Sequence, residues 1–146
     1  MQRIIALCAT GLLLVGCAQK APLEGLADGD CTGAVVELVN NHISGQIDAL
    51  AAKDWELAHS FASENFQANV SVDDFIAVIN AQYGMLIKNE GYEFSECTVA
   101  GNTIKQEVKV LSDEQEFSLV YVLAVDGSTL GVDSAVVSRV DPQVNA

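Results

Sequence analysis

The sequence predicts an α+β domain in which three N-terminal helices pack on an antiparallel sheet of four or more strands. Up to Gly84 the apolar residues recur every three or four positions, the period of a helix face, and beyond it they alternate, the period of a half-buried strand. The Gly101-Asn102 pair between two alternating runs has the composition of a two-residue hairpin turn. Helices first and strands afterwards belong to the segregated α+β arrangement rather than to repeated strand-helix-strand units.

The first helix starts at Thr32 and runs to about Lys53, with Val36, Val39, Ile43, Ile47 and Leu50 on its buried face. Asp54 is a natural N-cap, because its carboxylate can accept an unpaired amide of the first turn. It opens a short second helix in which Trp55, Ala58, Phe61 and Ala62 share a face. Ser71 opens the third, with Asp73 and Asp74 placed where the helix dipole favours carboxylates. Phe75, Ile76, Ile79 and Tyr83 line its buried side, and Gly84 ends it, supplying the left-handed residue that helix ends favour.

A short strand is expected at residues 85–88. Residues 92–100 and 103–111 then flank the Gly101-Asn102 turn, and in the second of these Ile104, Val108 and Val110 oppose Lys105, Glu107 and Lys109. Residues 116–125 are apolar on both faces, with Phe117, Leu119, Tyr121, Leu123 and Val125 on one and Val120, Val122 and Ala124 on the other. Such a strand is expected to be central and covered on both sides. Asp126-Gly127 turns into residues 129–140, where Leu130, Val132, Val136 and Val140 alternate with Asp133 and Arg139 and a slip falls at Gly131.

Ahead of this domain, Met1-Gln2-Arg3 leads into a twelve-residue apolar stretch, residues 4–15, broken only by Thr10 and Gly11. A spanning helix needs about 20 apolar residues, so this is the hydrophobic region of a cleaved signal peptide. It ends in Leu14-Val15-Gly16-Cys17, which resembles a bacterial lipobox. The resemblance implies cleavage before Cys17, a diacylglycerol on its sulfur and acylation of its new amino group. Each buried CH₂ of such an anchor contributes about 0.8 kcal/mol. The alternative is an ordinary secretory signal that ends on a cysteine. Ala18 stands where an aspartate would retain an enterobacterial lipoprotein in the inner membrane, so the expected location is the outer membrane, facing the periplasm. If the cell has one membrane, the protein sits on its outer face. The organisation is thus a signal peptide at 1–16, a lipid-anchored flexible tether at 17–30 and one domain at 31–146.

The chain carries 7 Lys+Arg against 20 Asp+Glu, a net charge of −13, which becomes −14 once Arg3 leaves with the signal. Such a charge works against a nucleic-acid backbone and against an electrostatic hold on anionic lipid. The partners expected are the membrane through the lipid on Cys17, another envelope protein or a small apolar ligand, and no nucleic acid. The carboxylates are scattered rather than blocked, which describes a solvated surface. Among the four cysteines, Cys8 leaves with the signal and Cys17 takes the lipid, so Cys31 and Cys97 remain. In an oxidising compartment this pair is expected to form a disulfide. A free core cysteine and a metal ligand are the alternatives, and no CxxC or clustered histidine supports the metal.

The order of elements, with Gln46-Ile47-Asp48-Ala49-Leu50, Asp54-Trp55 and Ala58-His59-Ser60-Phe61 followed by Phe75 and Tyr83, resembles the nuclear transport factor 2-like superfamily over about residues 31–140. Its members of unknown function in bacterial envelopes are the nearest match. The resemblance implies a curved sheet wrapped around the helices as a cone, often with an apolar pocket at the open end. One departure lies in the last strand, where many members carry a tryptophan and this chain reads Leu130-Gly131-Val132-Asp133. Enzymes of the superfamily place an acid or base and a tyrosine inside the cone, but no local motif carries those residues onto this sequence.

The raw materials for chemistry are His42, His59, Asp48, Tyr83, Tyr121 and Asp133. Two histidines on two helices with no carboxylate at ligand spacing describe surface or core residues better than a metal or acid-base pair. Tyr121 projects with Phe117, Leu119 and Leu123, so packing explains it, although its hydroxyl needs a partner once buried. There is neither a nucleophile elbow nor a phosphate-cradling glycine loop, and no cofactor, metal or catalytic residue is implied. The expected function is a membrane-anchored envelope lipoprotein acting as a non-catalytic small-ligand or protein-binding accessory module. The alternative is a cone-fold isomerase, dehydratase or cyclase acting on a small apolar substrate, which calls for a roomy pocket with Asp, His or Tyr converging inside it.

Overall fold

The structure is a computed structural model that describes residues 21–142. The lipobox and Cys17 lie outside the described residues. Side-chain caps set where most of the helices begin. Thr32, Asp54, Ser63 and Ser71 each accept the amide three positions on, opening α1 (Gly33–Ala51), α2 (Trp55–Ser60), α3 (Glu64–Asn69) and α4 (Val72–Gln82). A single-turn helix, α5 (Gly84–Ile87), follows without a side-chain cap.

The strands are β1 (Gly29–Asp30), β2 (Gly91–Ala100), β3 (Thr103–Ser112), β4 (Gln115–Asp126) and β5 (Thr129–Pro142), joined as one antiparallel sheet in that order. Each long hairpin turns through two residues: Gly101-Asn102, Asp113-Glu114 and Gly127-Ser128. Asp113 and Glu114 hold φ of 49° and 60° without glycine, the left-handed geometry whose twist matches the flanking strands. The alternation in β3 holds, since Ile104, Gln106, Val108 and Val110 are fully buried while Lys105, Glu107 and Lys109 are exposed. With Leu119, Tyr121 and Leu123 of β4, Ile104, Val108 and Val110 form one core with the α1 stripe of Val39, Ile43, Ile47 and Leu50. The second face of β4 is less covered than expected: Val120, Val122 and Ala124 are half-buried and Val136 beside them is 56 % exposed.

The expected arrangement of three N-terminal helices on the sheet is not what the chain builds. Five helices form among the described residues, and they are inserted within the sheet's connectivity, because β1 precedes them and pairs with β2 through Gly29–Val99 and Asp30–Thr98. Two exposed residues carry no alternation, so periodicity passes over β1. The backbone beside it places it: the Cys31 amide donates to the Cys97 carbonyl at 3.0 Å, and the two sulfurs are bonded. Helix α3, six residues long, is too short to display a period.

Residues 85–88, expected as a strand, coil instead. The Leu86 and Lys88 amides donate to the Tyr83 and Gly84 carbonyls, which turns Leu86 into the core. An apolar run this short has no period to distinguish the two structures. Gly84 therefore begins a helical turn, and Tyr83 is the C-cap of α4. Within the stretch expected as a tether, Leu23 is buried in the core and Asp28 accepts the Gly101 amide at 2.8 Å, so the folded body begins before residue 31.

The slip expected at Gly131 falls instead at Asp133 and Ser138, the extra residues of β5 opposite Val122–Leu123 and Ser118–Leu119. A third bulge lies at Ser95-Glu96 in β2. Fully buried Gln106 fills it, its amide nitrogen donating to the carbonyls of Ser95, Glu96 and Glu107 at 3.4, 3.2 and 2.9 Å.

Candidate ligand cavity

Helices α1 and α4 meet the inner face of the sheet around a cavity of about 150 Å³. Gln46 and Leu50, one turn apart on α1, form part of its wall, and Phe75, Val78 and Ile79 present one face of α4 to it. Ala62 and Phe66 close one side, Tyr83 and Leu86 another, and Tyr121 of β4 with residues 132–135 of β5 complete it. Val78, Asp133 and Ser134 are exposed and mark the mouth. The extra residue in β5 is Asp133 itself, and a bulge is the device by which a strand re-aims a side chain.

The polar groups on this wall differ in how they are satisfied. Gln46, buried, donates its amide nitrogen to the Ala58 carbonyl at 3.1 Å, and the Tyr83 hydroxyl donates to the Ala135 carbonyl. Tyr121 is 1 % exposed, and its hydroxyl meets no hydrogen-bonding partner among the described residues. Burial, and then the neighbouring Tyr83 and Tyr92 side chains, hold that hydroxyl far above the ordinary tyrosine range, so it stays protonated. Among the described residues no Lys, Arg or His lines the cavity.

Of the six candidates for chemistry, Tyr83, Tyr121 and Asp133 converge here and the other three do not. His42 donates from Nε2 to the Phe61 carbonyl at 2.7 Å with its ring edge-on to Phe61, and His59 donates to the Val70 carbonyl at 2.7 Å against Phe75. Both clamp the α2–α3 segment in place. Asp48 accepts the Tyr92 hydroxyl at 2.9 Å and is not part of the cavity wall. Sequence reasoning passed over Gln46 as a wall residue, and only its one-turn spacing from Leu50 signals it. Ser134 and Ala135 carry no such signal, because the Asp133 bulge shifts which side chains face inward.

Cys31 and Cys97 form the expected disulfide, with Cα atoms 5.5 Å apart, away from the cavity wall. Among the described residues no group of three or more His, Cys, Asp or Glu side chains is placed to hold a metal, and no helix is long and apolar enough to cross a membrane.

Residues 35–138 match the family described as Domain of unknown function (DUF4864). The chain belongs to DUF4864. The DUF4864 match begins in α1 and ends in β5, so it contains every residue that lines the cavity as well as Cys97, and it leaves out β1 and Cys31. No curated protein and no solved structure matches this DUF4864 chain.

Proposed function

We propose that this protein is a lipid-anchored envelope protein, held by an acylated Cys17 in the outer membrane and facing the periplasm, whose DUF4864 domain binds a small, largely apolar ligand without turning it over. One observation carries the ligand half of this reading: an apolar cavity bounded by both helices and sheet has a buried, unpartnered tyrosine hydroxyl on its wall. Binding sites are apolar concavities with a few placed polar groups, and this cavity has that make-up. The address rests on the lipobox-like Leu14-Val15-Gly16-Cys17 after a short apolar stretch. A domain of the nuclear transport factor 2-like kind fits both the motifs of α1, α2 and α4 and a pocket between helices and sheet.

A catalytic reading, isomerase, dehydratase or cyclase, draws on Asp133 and Tyr121 sharing one wall. Against it, no carboxylate among the described residues lies within hydrogen-bond reach of the Tyr121 hydroxyl, which a proton-transfer pair requires. Mass spectrometry of the full-length protein extracted from cell membranes tests the proposal. The expected species begins at an acylated Cys17 and releases a small organic molecule on denaturation. An unmodified Cys17 overturns the anchor, and a protein that never carries such a molecule overturns the ligand reading.

A further inference from the structure

The cavity's chemistry restricts what it can hold, and the restriction comes from three features taken together. The first is volume. A cavity of about 150 Å³ accommodates a molecule on the scale of benzene, so the ligand has about six to nine non-hydrogen atoms. The second is hydrogen bonding. Tyr83 spends its donor on the Ala135 carbonyl and Gln46 one of its two amide hydrogens on the Ala58 carbonyl, while the Tyr121 O–H is buried on this wall with no partner among the described residues. The third is charge. No cationic side chain among the described residues lines the cavity, Asp133 sits at its mouth, and the chain as a whole carries −13.

We propose that the cavity is specific for a compact, uncharged molecule bearing one oxygen acceptor, an alcohol, aldehyde or ketone on an apolar frame, with the oxygen turned inward to the Tyr121 hydroxyl and with carboxylates excluded. This rests on the reading of the cavity as a ligand site. The oxygen satisfies a donor that the fold leaves unpaired, and the apolar frame takes the contacts of Leu50, Phe75, Ile79 and Val132. A carboxylate of the same size would be stripped of water with no cation to meet it and would have to pass Asp133.

Titration calorimetry of the mature chain with toluene, benzyl alcohol and benzoate tests this, each against the wild type and Tyr121→Phe. The wild type is expected to bind benzyl alcohol about tenfold more tightly than toluene, the value of one neutral hydrogen bond. Tyr121→Phe is expected to erase that difference while leaving toluene affinity in place, and benzoate is expected to bind neither protein. Equal affinities for toluene and benzyl alcohol, unchanged by Tyr121→Phe, overturn the oxygen anchor while leaving the cavity a ligand site. Benzoate binding as tightly as benzyl alcohol overturns the charge selection. If none of the three probes binds, the specificity falls together with the reading it rests on.

Discussion

Tyr121 is placed where folding and binding pull in opposite directions. Its ring is a core group between Leu119 and Leu123, yet its hydroxyl is taken from water with nothing in return. An unsatisfied buried polar group costs about 1–3 kcal/mol. Tyr121→Phe keeps the ring and deletes the cost, so the ligand-free variant should be more stable than the wild type by about 1 kcal/mol in urea denaturation. Lower stability would mean that the hydroxyl is satisfied. The same burial sets a pH dependence. Because the folded-state pKa of Tyr121 is raised, the native protein keeps this proton above pH ~10 while the unfolded chain releases it. The contribution is whole below that pH and is lost as pH rises beyond it. Denaturation midpoints measured from pH 8 to about 11 should fall more steeply for the wild type than for Tyr121→Phe. Tyr121 was legible in the sequence as a core residue needing a partner. That its partner is lacking was not, because the cavity wall it belongs to is assembled from segments far apart in the chain, α1, α4 and β5 among them.

Among the elements, β5 does most to shape the site, and it does so through departures from regularity. Its Asp133 bulge sits at the cavity mouth, and next to it Gly131 allows the chain after α2 to lie against the strand. The Ser63 amide donates to the Val132 carbonyl and the Val132 amide to the Phe61 carbonyl, both at 2.9 Å. This parallel bridge occupies part of an otherwise unpaired sheet edge. A Cβ at Gly131 would stand 2.3 Å from the Ser63 Cα and 2.8 Å from its nitrogen, and backbone atoms cannot yield as a flexible side chain would. Gly131→Ala should therefore destabilise the protein by about 1–3 kcal/mol. Gly33→Ala, at the start of α1 with nothing within 4 Å, should be neutral or slightly stabilising. Equal effects from the two, read by chemical denaturation, would refute close approach as the role of Gly131. The sequence signalled irregularity near this point and misplaced it by two residues, since a glycine in a strand marks a bulge and a close approach alike.

Across the whole molecule, the disulfide joins the two parts that periodicity separates, tying the chain before α1 to the sheet after α5. It closes a loop with a sequence separation of 66, for which chain entropy gives about 4 kcal/mol. The Cys31→Ser/Cys97→Ser double variant should lose about that much, and β1 should detach from β2, exposing the Cys31 amide to hydrogen exchange. A variant as stable as the parent with reductant and without it would refute the bond's role. The helix caps, the β3 alternation and the glycine-bearing turns are written in local patterns of a few residues, and such patterns act through neighbouring backbone and side chains alone. The number of helices, the pairing of β1, the bulges of β5 and the isolation of the Tyr121 hydroxyl arise only when distant segments meet. Their cause is packing between surfaces far apart in the chain, and no local period encodes it.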